Sequence, residues 1–504
     1  MGGKRNFFAN RGRDTANDFK FKVTVASSEN IPLPFEAGGT YDCYVNYGDG
    51  SGDKYINTYN HANADHTYTT GATYEISIWG QCTLFEVDND ANIDTNIIEV
   101  VQWGSIGLES LNFYGCTNLT TIPSTGFSGF SAITIFASLF RQCPIGSIPS
   151  GMFDSATSAT NFQQAFYNTN ITSIPTDLFK FNTGVTTFLN TFLGSNITAI
   201  PVDIFRYNTI ATNFTSVFNG CTSLTAIPVD VFRYNTSITT GLAGAFKGCS
   251  GITSIPTGML DYNTSATNLS ELFSGCTSIT SIPTDLFRYN TANTTFASTF
   301  VSVSMSSVPV DIFRYNTSVT NFSRCFQNSS ISSVTADLFQ YNTIASNFQL
   351  TFAGCSSLTS LPTDIFRYCG TAVTTFNQTF NGAGLTSIVA GIFQYNTAVT
   401  NFAATFFACP ITTMPTDLFR YNTSNLNWDS CFEICTAITT IPAGLLFYNT
   451  NATNLNDFLR GCTAITSAVP DYWNTHTLGT HANCFTGSFS ISNYASIPND
   501  WKGL

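Results

Sequence analysis

The side chains that could do chemistry are few, and their spacing supports little of it. Four histidines occur, His61, His66, His476 and His481, all outside the regular part of the chain. His476 and His481 come near Cys484, but a zinc centre needs a fourth ligand and tighter pairing than this stretch offers. No phosphate-cradling glycine loop, nucleophile elbow or spaced Ser/His/Asp set is present. Asp88, Asp90, Asn92, Asp94 and Glu99, with Asn96 between the last two, place oxygens as a calcium loop does. The glycine such a loop needs at its sixth position is Ile93, and neither flank reads as a helix. That leaves a looser calcium site or a solvated acidic linker. The expectation is therefore a protein that is not an enzyme and needs no cofactor beyond that calcium.

What positions everything else is a repeat. Ile200 opens IPVDIFRYNTIATNFTSVFNGCTSLTAI, and Leu361 opens LPTDIFRYCGTAVTTFNQTFNGAGLTSI. The large apolar residue four places after the proline column recurs from Phe127 to Leu446, and Trp473 closes the series. The recurrence is about every 26.6 residues, within the range of solenoids. Each unit carries a short apolar pair, such as Ile252 with Ile255 or Leu358 with Leu361, expected to form one parallel strand per turn. Each also carries Phe-x-x-x-Phe, as Phe322 with Phe326, whose i, i+4 spacing predicts a short helical turn. Helical turns are expected at Asp203–Tyr207 and Asn213–Asn219.

Three columns invite chemistry and read better as scaffold. Cys116, Cys143, Cys221, Cys249, Cys276, Cys355, Cys409, Cys435 and Cys462 share one slot, which elsewhere holds Thr169, Ser195, Val303 or Ala383. A slot open to any small side chain predicts buried free thiols rather than disulfides or metal ligands. Asn208, Asn235, Asn263, Asn290, Asn316, Asn342, Asn396, Asn422 and Asn449 form another column, of which Asn235, Asn263, Asn316 and Asn422 lie in N-x-S/T sequences. A backbone-capping asparagine ladder is the expectation, and glycosylation is the alternative. Asp and Arg three apart, such as Asp285 with Arg288 and Asp311 with Arg314, read as rim staples. Between the apolar strand positions lie Thr253 and Ser254, Thr280 and Ser281, Ser306 and Ser307, and Thr359 and Ser360. At least one of these columns should face solvent as an uncharged hydroxyl ladder suited to a polysaccharide.

The chain outside the repeats divides readily. Residues 1–17 form a basic tail in which Lys4, Arg5, Arg11 and Arg13, with Phe7 and Phe8, could anchor the protein to an assembly. No apolar core of a secretory signal follows them. Residues 18–87 read as a small β domain, 88–112 as a linker and cap at the solenoid's entrance, 113–470 as the solenoid and 471–504 as a terminal cap. Across 504 residues the net charge is -12, which excludes a nucleic-acid partner, since binding phosphates requires clustered cations. No stretch is apolar for long enough to span a membrane as a helix.

Two resemblances follow from these residues. Phe-Ser-Gly-Cys-Thr-Ser-Ile-Thr-Ser-Ile-Pro at 273–283, and Val101-Gln102-Trp103-Gly104 ahead of Phe113-Tyr114-Gly115-Cys116, resemble the repeat of BspA-like leucine-rich-repeat surface proteins. Tyr47-Gly48-Asp49-Gly50-Ser51 with His66-Thr67-Tyr68 resembles the polycystic-kidney-disease type β-sandwich. Together they imply a leucine-rich-repeat solenoid of short parallel strands and helical turns behind an all-β sandwich, with a role in adhesion or recognition. The reading preferred is a bacteriophage virion-surface protein, a capsid decoration or fibre. Its tail would hold virion structural proteins and its solenoid would meet a host-surface glycan or protein. The alternatives are a secreted bacterial surface adhesin and a carbohydrate-active enzyme on a solenoid.

Overall fold

A computed structural model describes residues 15–88, 93–476 and 479–504. The chain forms two compact units, residues 1–211 and 212–504. The first begins with nine strands: β1 (Phe19–Val25), β2 (Glu29–Pro32), β3 (Tyr41–Asn46), β4 (Lys54–Ile56), β5 (Asp65–Tyr68), β6 (Ala72–Cys82), β7 (Leu84–Glu86), β8 (Ile97–Gln102) and β9 (Ser110–Asn112). Five make an antiparallel sheet in the order β4-β3-β6-β1-β8, while β2 and β5 form a separate antiparallel ribbon. Strict alternation in β3, buried at Tyr41, Cys43 and Val45 and exposed at Asp42 and Tyr44, puts one face on the core.

The Gly-Asp-Gly-Ser turn is structural. Gly48 and Gly50 have φ of 78° and 83°, a conformation costly for other residues. Asp49 accepts from the Ser51 amide at 2.9 Å and meets His66 Nε2 at 2.8 Å, and the His66 ring stacks on Tyr47. Partial burial works to raise the Asp49 carboxyl, but these hydrogen bonds outweigh it and hold the group at about 2.

Strand β8 lies inside the segment expected as a linker, and it joins two architectures. One edge pairs antiparallel with β1, where Lys22 and Glu99 make an ion pair at 2.7 Å. From the other edge the Val100 amide donates to Thr121 of the first coil at 3.0 Å. A second parallel ladder runs from β7 through β9 to Ile135, Asn161 and Thr187. Trp103, buried against Phe113, Phe130 and Phe140, fills the open end of that coil.

The coils themselves correct the expected secondary structure. The segments at Asp203–Tyr207, in the first unit, and Asn213–Asn219, in the second, are successions of turns rather than helices. The Phe-x-x-x-Phe segment repeats a four-residue conformation with a left-handed residue in each period: Arg324 and Asn328 at φ 56° and 57°, Ser298 and Ser302 at 57° and 59°. Its amides alternate in destination. Those of Phe322, Arg324, Phe326 and Asn328 donate to Asn347, Gln349, Thr351 and Ala353 of the next coil at 2.7–2.9 Å. Those of Cys325, Gln327 and Ser329 close local turns. A four-residue period puts both phenylalanines inward just as a helix would, so the sequence pattern fits both. The glycine of Phe-x-Gly-Cys takes the second left-handed position: Gly354 has φ 70°, and a Cβ there would collide with the Asn328 side-chain oxygen.

The apolar-pair segment is parallel and in register, but reduced to single bridges such as Ser307 with Ser333 and Ser387 with Thr413. Inside the second unit, phenylalanine rings stack coil on coil, from Phe218 through Phe246, Phe273 and Phe300 to Phe326, at 5.7–6.1 Å.

Polar columns complete the interior. Asn316 Nδ2 donates to the carbonyls of Phe287 and Asn290 at 3.1 and 2.9 Å, and Asn290, Asn342 and Asn422 repeat the arrangement with their own preceding coils. These amides are fully buried, so the ladder, not glycosylation, accounts for the column. All fifteen cysteines are free and buried. Their slot is more than small: Cys435 Sγ donates to the Phe406 carbonyl at 3.0 Å, and Ser195 Oγ does the same to Phe166 at 2.6 Å.

Two outcomes follow. Ser298→Gly should leave stability unchanged or raised, and Ser298→Val should lower it by about 1–2 kcal/mol, because the position is left-handed. Chemical denaturation reads both, and a loss of about 1 kcal/mol on introducing glycine would restore the helix. Burial pushes the thiols of Cys276 and Cys462 up to about 12 and that of Cys355 to about 11, above the ordinary 9.0. Unfolded thiols then release protons first as pH rises. Their stabilising contribution is whole below pH 9 and is lost toward pH 12, by at most about 1.4 kcal/mol per pH unit for each thiol. Denaturation midpoints should fall over that window, and maleimide at pH 8 should label the native protein only after denaturant is added.

Candidate recognition surface

In most coils the apolar pair three residues apart is buried and both residues between are exposed. The first column holds Thr253, Thr280, Ser306 and Thr359, and the second holds Ser254, Ser281, Ser307 and Ser360. Strand alternation would have turned one column inward. The segment is not a continuous strand, and Ser281 and Ser360 face solvent together with Thr280 and Thr359. The first column is partly committed to the scaffold. Ser332 Oγ donates to the Ser306 carbonyl at 3.1 Å and Thr386 Oγ1 to that of Thr359 at 3.4 Å.

Eight residues further along each coil stands a feature that sequence reasoning missed. It had noted the arginine of Phe-Arg-Tyr-Asn only as the partner of an aspartate. The tyrosine of that slot, which follows arginine in some coils and Asp261, Gln394 or Phe447 in others, is exposed: Tyr262, Tyr289, Tyr315, Tyr368, Tyr395, Tyr421 and Tyr448 are each 39–48% accessible. Several arginines lie over two of these rings, their own and the next coil's. Arg314 is 5.7 Å from the Tyr315 centroid and 5.3 Å from Tyr341, and Arg367 and Arg420 repeat the pattern. Asp285, Asp311 and Asp364 hold their arginines at 4.0, 3.4 and 3.7 Å. The result is a ribbon of exposed phenols in the second unit, with a guanidinium over the ring at Arg288, Arg314, Arg367 and Arg420. The signal available in the sequence was the recurrence of a tyrosine one place before the asparagine column. Tyrosine and arginine are among the residues that most often carry binding energy at interfaces.

Other candidate residues do not assemble. Among the calcium candidates, Asp90 and Asn92 lie outside the described residues. Asp88 accepts from Asn112 Nδ2, Asp94 from the Thr95 amide, and Glu99 pairs with Lys22. Among the described residues no group of three or more His, Cys, Asp and Glu side chains could hold a metal ion. Lys4, Arg5, Phe7, Phe8, Arg11 and Arg13 of the expected anchor also lie outside the described residues. His61 Nδ1 accepts from the Asn63 amide, His476 meets the Leu446 carbonyl, and His481 pairs with Asp500 at 2.8 Å while stacking on Trp501. Cys484 is buried, its amide donating to the His481 carbonyl at 3.4 Å and its thiol raised well above the ordinary value by burial. No described helix is long and apolar enough to cross a membrane.

No protein-family model matches the chain, and no curated protein does. Among solved structures it is similar to the functional domain of InlJ from Listeria monocytogenes, described as including a cysteine ladder, at 16% identity and a TM-score of 0.35. That likeness covers 71% of this chain and 69% of that one. A leucine-rich-repeat protein of Leptospira interrogans is similar at 8% identity and 0.38, over 67% and 78%. A chain of the Drosophila Toll–Spätzle complex is similar at 15% and 0.36; 73% of this chain is covered but only 52% of that one, about half its length.

The ribbon is a surface feature and should behave as one. Tyr315→Ala and Arg314→Ala should each cost no more than about 1 kcal/mol of stability, the scale of an exposed cation–π contact and ion pair. Losses above about 3 kcal/mol in urea titrations would make the ribbon a structural element instead.

Proposed function

We propose that the protein is a non-enzymatic surface recognition protein whose second unit presents the hydroxyl ladder and the Tyr–Arg ribbon to an extended partner. The observation that carries this reading is the ribbon: exposed aromatic rings and cations recur from coil to coil without serving the core. A periodic face suits a partner that is itself long, with affinity built from many weak contacts. A host-surface glycan or protein fits that description. The resemblance to BspA-like surface proteins supports the same role.

The finer proposal is a bacteriophage virion-surface protein, a capsid decoration or fibre, with Lys4, Arg5, Phe7, Phe8, Arg11 and Arg13 as the anchor to virion structural proteins. Fifteen unpaired thiols support assembly in a reducing compartment. A secreted bacterial surface adhesin is the alternative. Both place the array outward, and neither requires catalysis.

The test uses the full chain and two triple variants on a bacterial polysaccharide array and on intact bacterial cells. One variant combines Ser254→Lys, Ser281→Lys and Ser307→Lys; the other combines Tyr289→Ala, Tyr315→Ala and Tyr368→Ala. Binding should fall at least tenfold in one or both variants while the melting temperature moves by a few degrees. Full binding by both folded variants would remove this face from the function.

A further inference from the structure

The solvent face of the five-stranded sheet carries an aromatic row that the solenoid reading does not use. Tyr55 of β4, Tyr44 of β3 and Trp79 of β6 are directly opposed across three neighbouring strands. Successive ring centroids are 5.2 and 5.7 Å apart, and the Tyr44 and Trp79 planes are within 12° of parallel. Tyr44 and Tyr55 are 40% and 41% exposed, and Trp79 is half-buried.

The neighbouring rows of the same face are polar. On one side Asp42 opposes Gln81; on the other Asn46 opposes Ser77, which opposes Lys20. The Asp42 carboxylate already accepts from the Tyr55 hydroxyl at 2.9 Å, fixing that ring's outer edge. The three strands present no exposed aliphatic side chain beside the row.

We infer that this row is a saccharide-binding platform, separate from the Tyr–Arg ribbon, for an uncharged β-linked pyranose chain. The apolar C–H faces of such sugars pack on aromatic rings, and their equatorial hydroxyls reach sideways to groups such as Asp42, Gln81 and Ser77. The ring spacing is close to the repeat of a β-1,4-linked chain lying across the strands. A protein hot spot is the competing occupant, and it would be expected to add aliphatic contacts around the aromatics, which this face lacks. Few cations lie near the row: Lys20 of β1 opposes Ser77, Lys54 of β4 opposes buried Val45, and Lys22 is paired with Glu99.

Isothermal titration of the full chain with cellohexaose, chitohexaose and laminarihexaose tests the assignment. At least one should bind, and Tyr44→Ala should weaken it tenfold or more with an unchanged far-ultraviolet circular dichroism spectrum. Tyr44→Thr, which keeps a strand-forming residue, replaces it should alanine unfold the domain. Trp79 is one of five tryptophans, and Trp103, Trp428 and Trp501 are buried. A saturable blue shift in emission that disappears in Trp79→Phe would therefore place the sugar on the row. Three hexaoses without measurable heat would overturn the proposal. So would binding unaffected by Tyr44→Ala or Tyr44→Thr, or binding lost only in the solenoid variants.

Discussion

Alternate backbone amides of the Phe-x-x-x-Phe segment leave the coil they belong to and end on the next one. Every other feature of the array accommodates this. A chain that sends Phe322, Arg324, Phe326 and Asn328 amides outward must reverse direction every four residues. That requires left-handed residues, which explains the recurrent glycine and the small or polar residues at Ser298, Arg324 and Gln378. The carbonyls left inside need donors, and each buried one that goes without costs about 1–3 kcal/mol. Asparagine amides, cysteine thiols and buried hydroxyls such as Thr351 supply them. The stacked phenylalanines then exclude water from these bonds, and the two effects reinforce each other.

The first coil has no predecessor to bond to, and the β domain fills that role. Strands β7 and β8 each start a parallel ladder, while β8 keeps its other edge in the antiparallel sheet. An exposed row of unpaired backbone groups at the end of the array would invite aggregation. Here it is replaced by a folded domain, and Trp103 closes the hydrophobic interior behind it.

The repeat and the roles of the asparagine and cysteine columns were legible in the sequence, because each rests on which side chains recur. The Asn column was readable because the same residue recurs at corner after corner, as a backbone-capping task requires, whether or not it stands in N-x-S/T. Backbone conformation was not legible. An i, i+4 pair of phenylalanines reports a period of four, and a helix and a left-handed turn series share it. The strand reading failed in part for the same reason: Ile279 and Ile282 mark what is buried, not whether Thr280 and Ser281 between them alternate, and Leu358 and Leu361 say as little of Thr359 and Ser360. The Tyr–Arg ribbon escaped notice because its arginine was already explained by aspartate, although an aromatic kept at an exposed place has no such excuse. β8 was missed because acidic residues ahead of it read as a linker, and its pairing with Thr121 is a long-range fact.

The asparagine ladder has a genetic corollary. Each Asn amide bonds only to the coil before it, through the same two carbonyls wherever the ladder is regular, so any coil presents its neighbours with an interchangeable socket. Unequal recombination between repeats would add or remove whole coils while every socket stayed filled. Coils of 26, 27 and 28 residues keep both bonds, as at Asn316, Asn290 and Asn263, so single residues are accommodated elsewhere in the coil without disturbing the socket. Array length can therefore change by whole coils and coil length by single residues, provided the asparagine and its two carbonyls stay aligned.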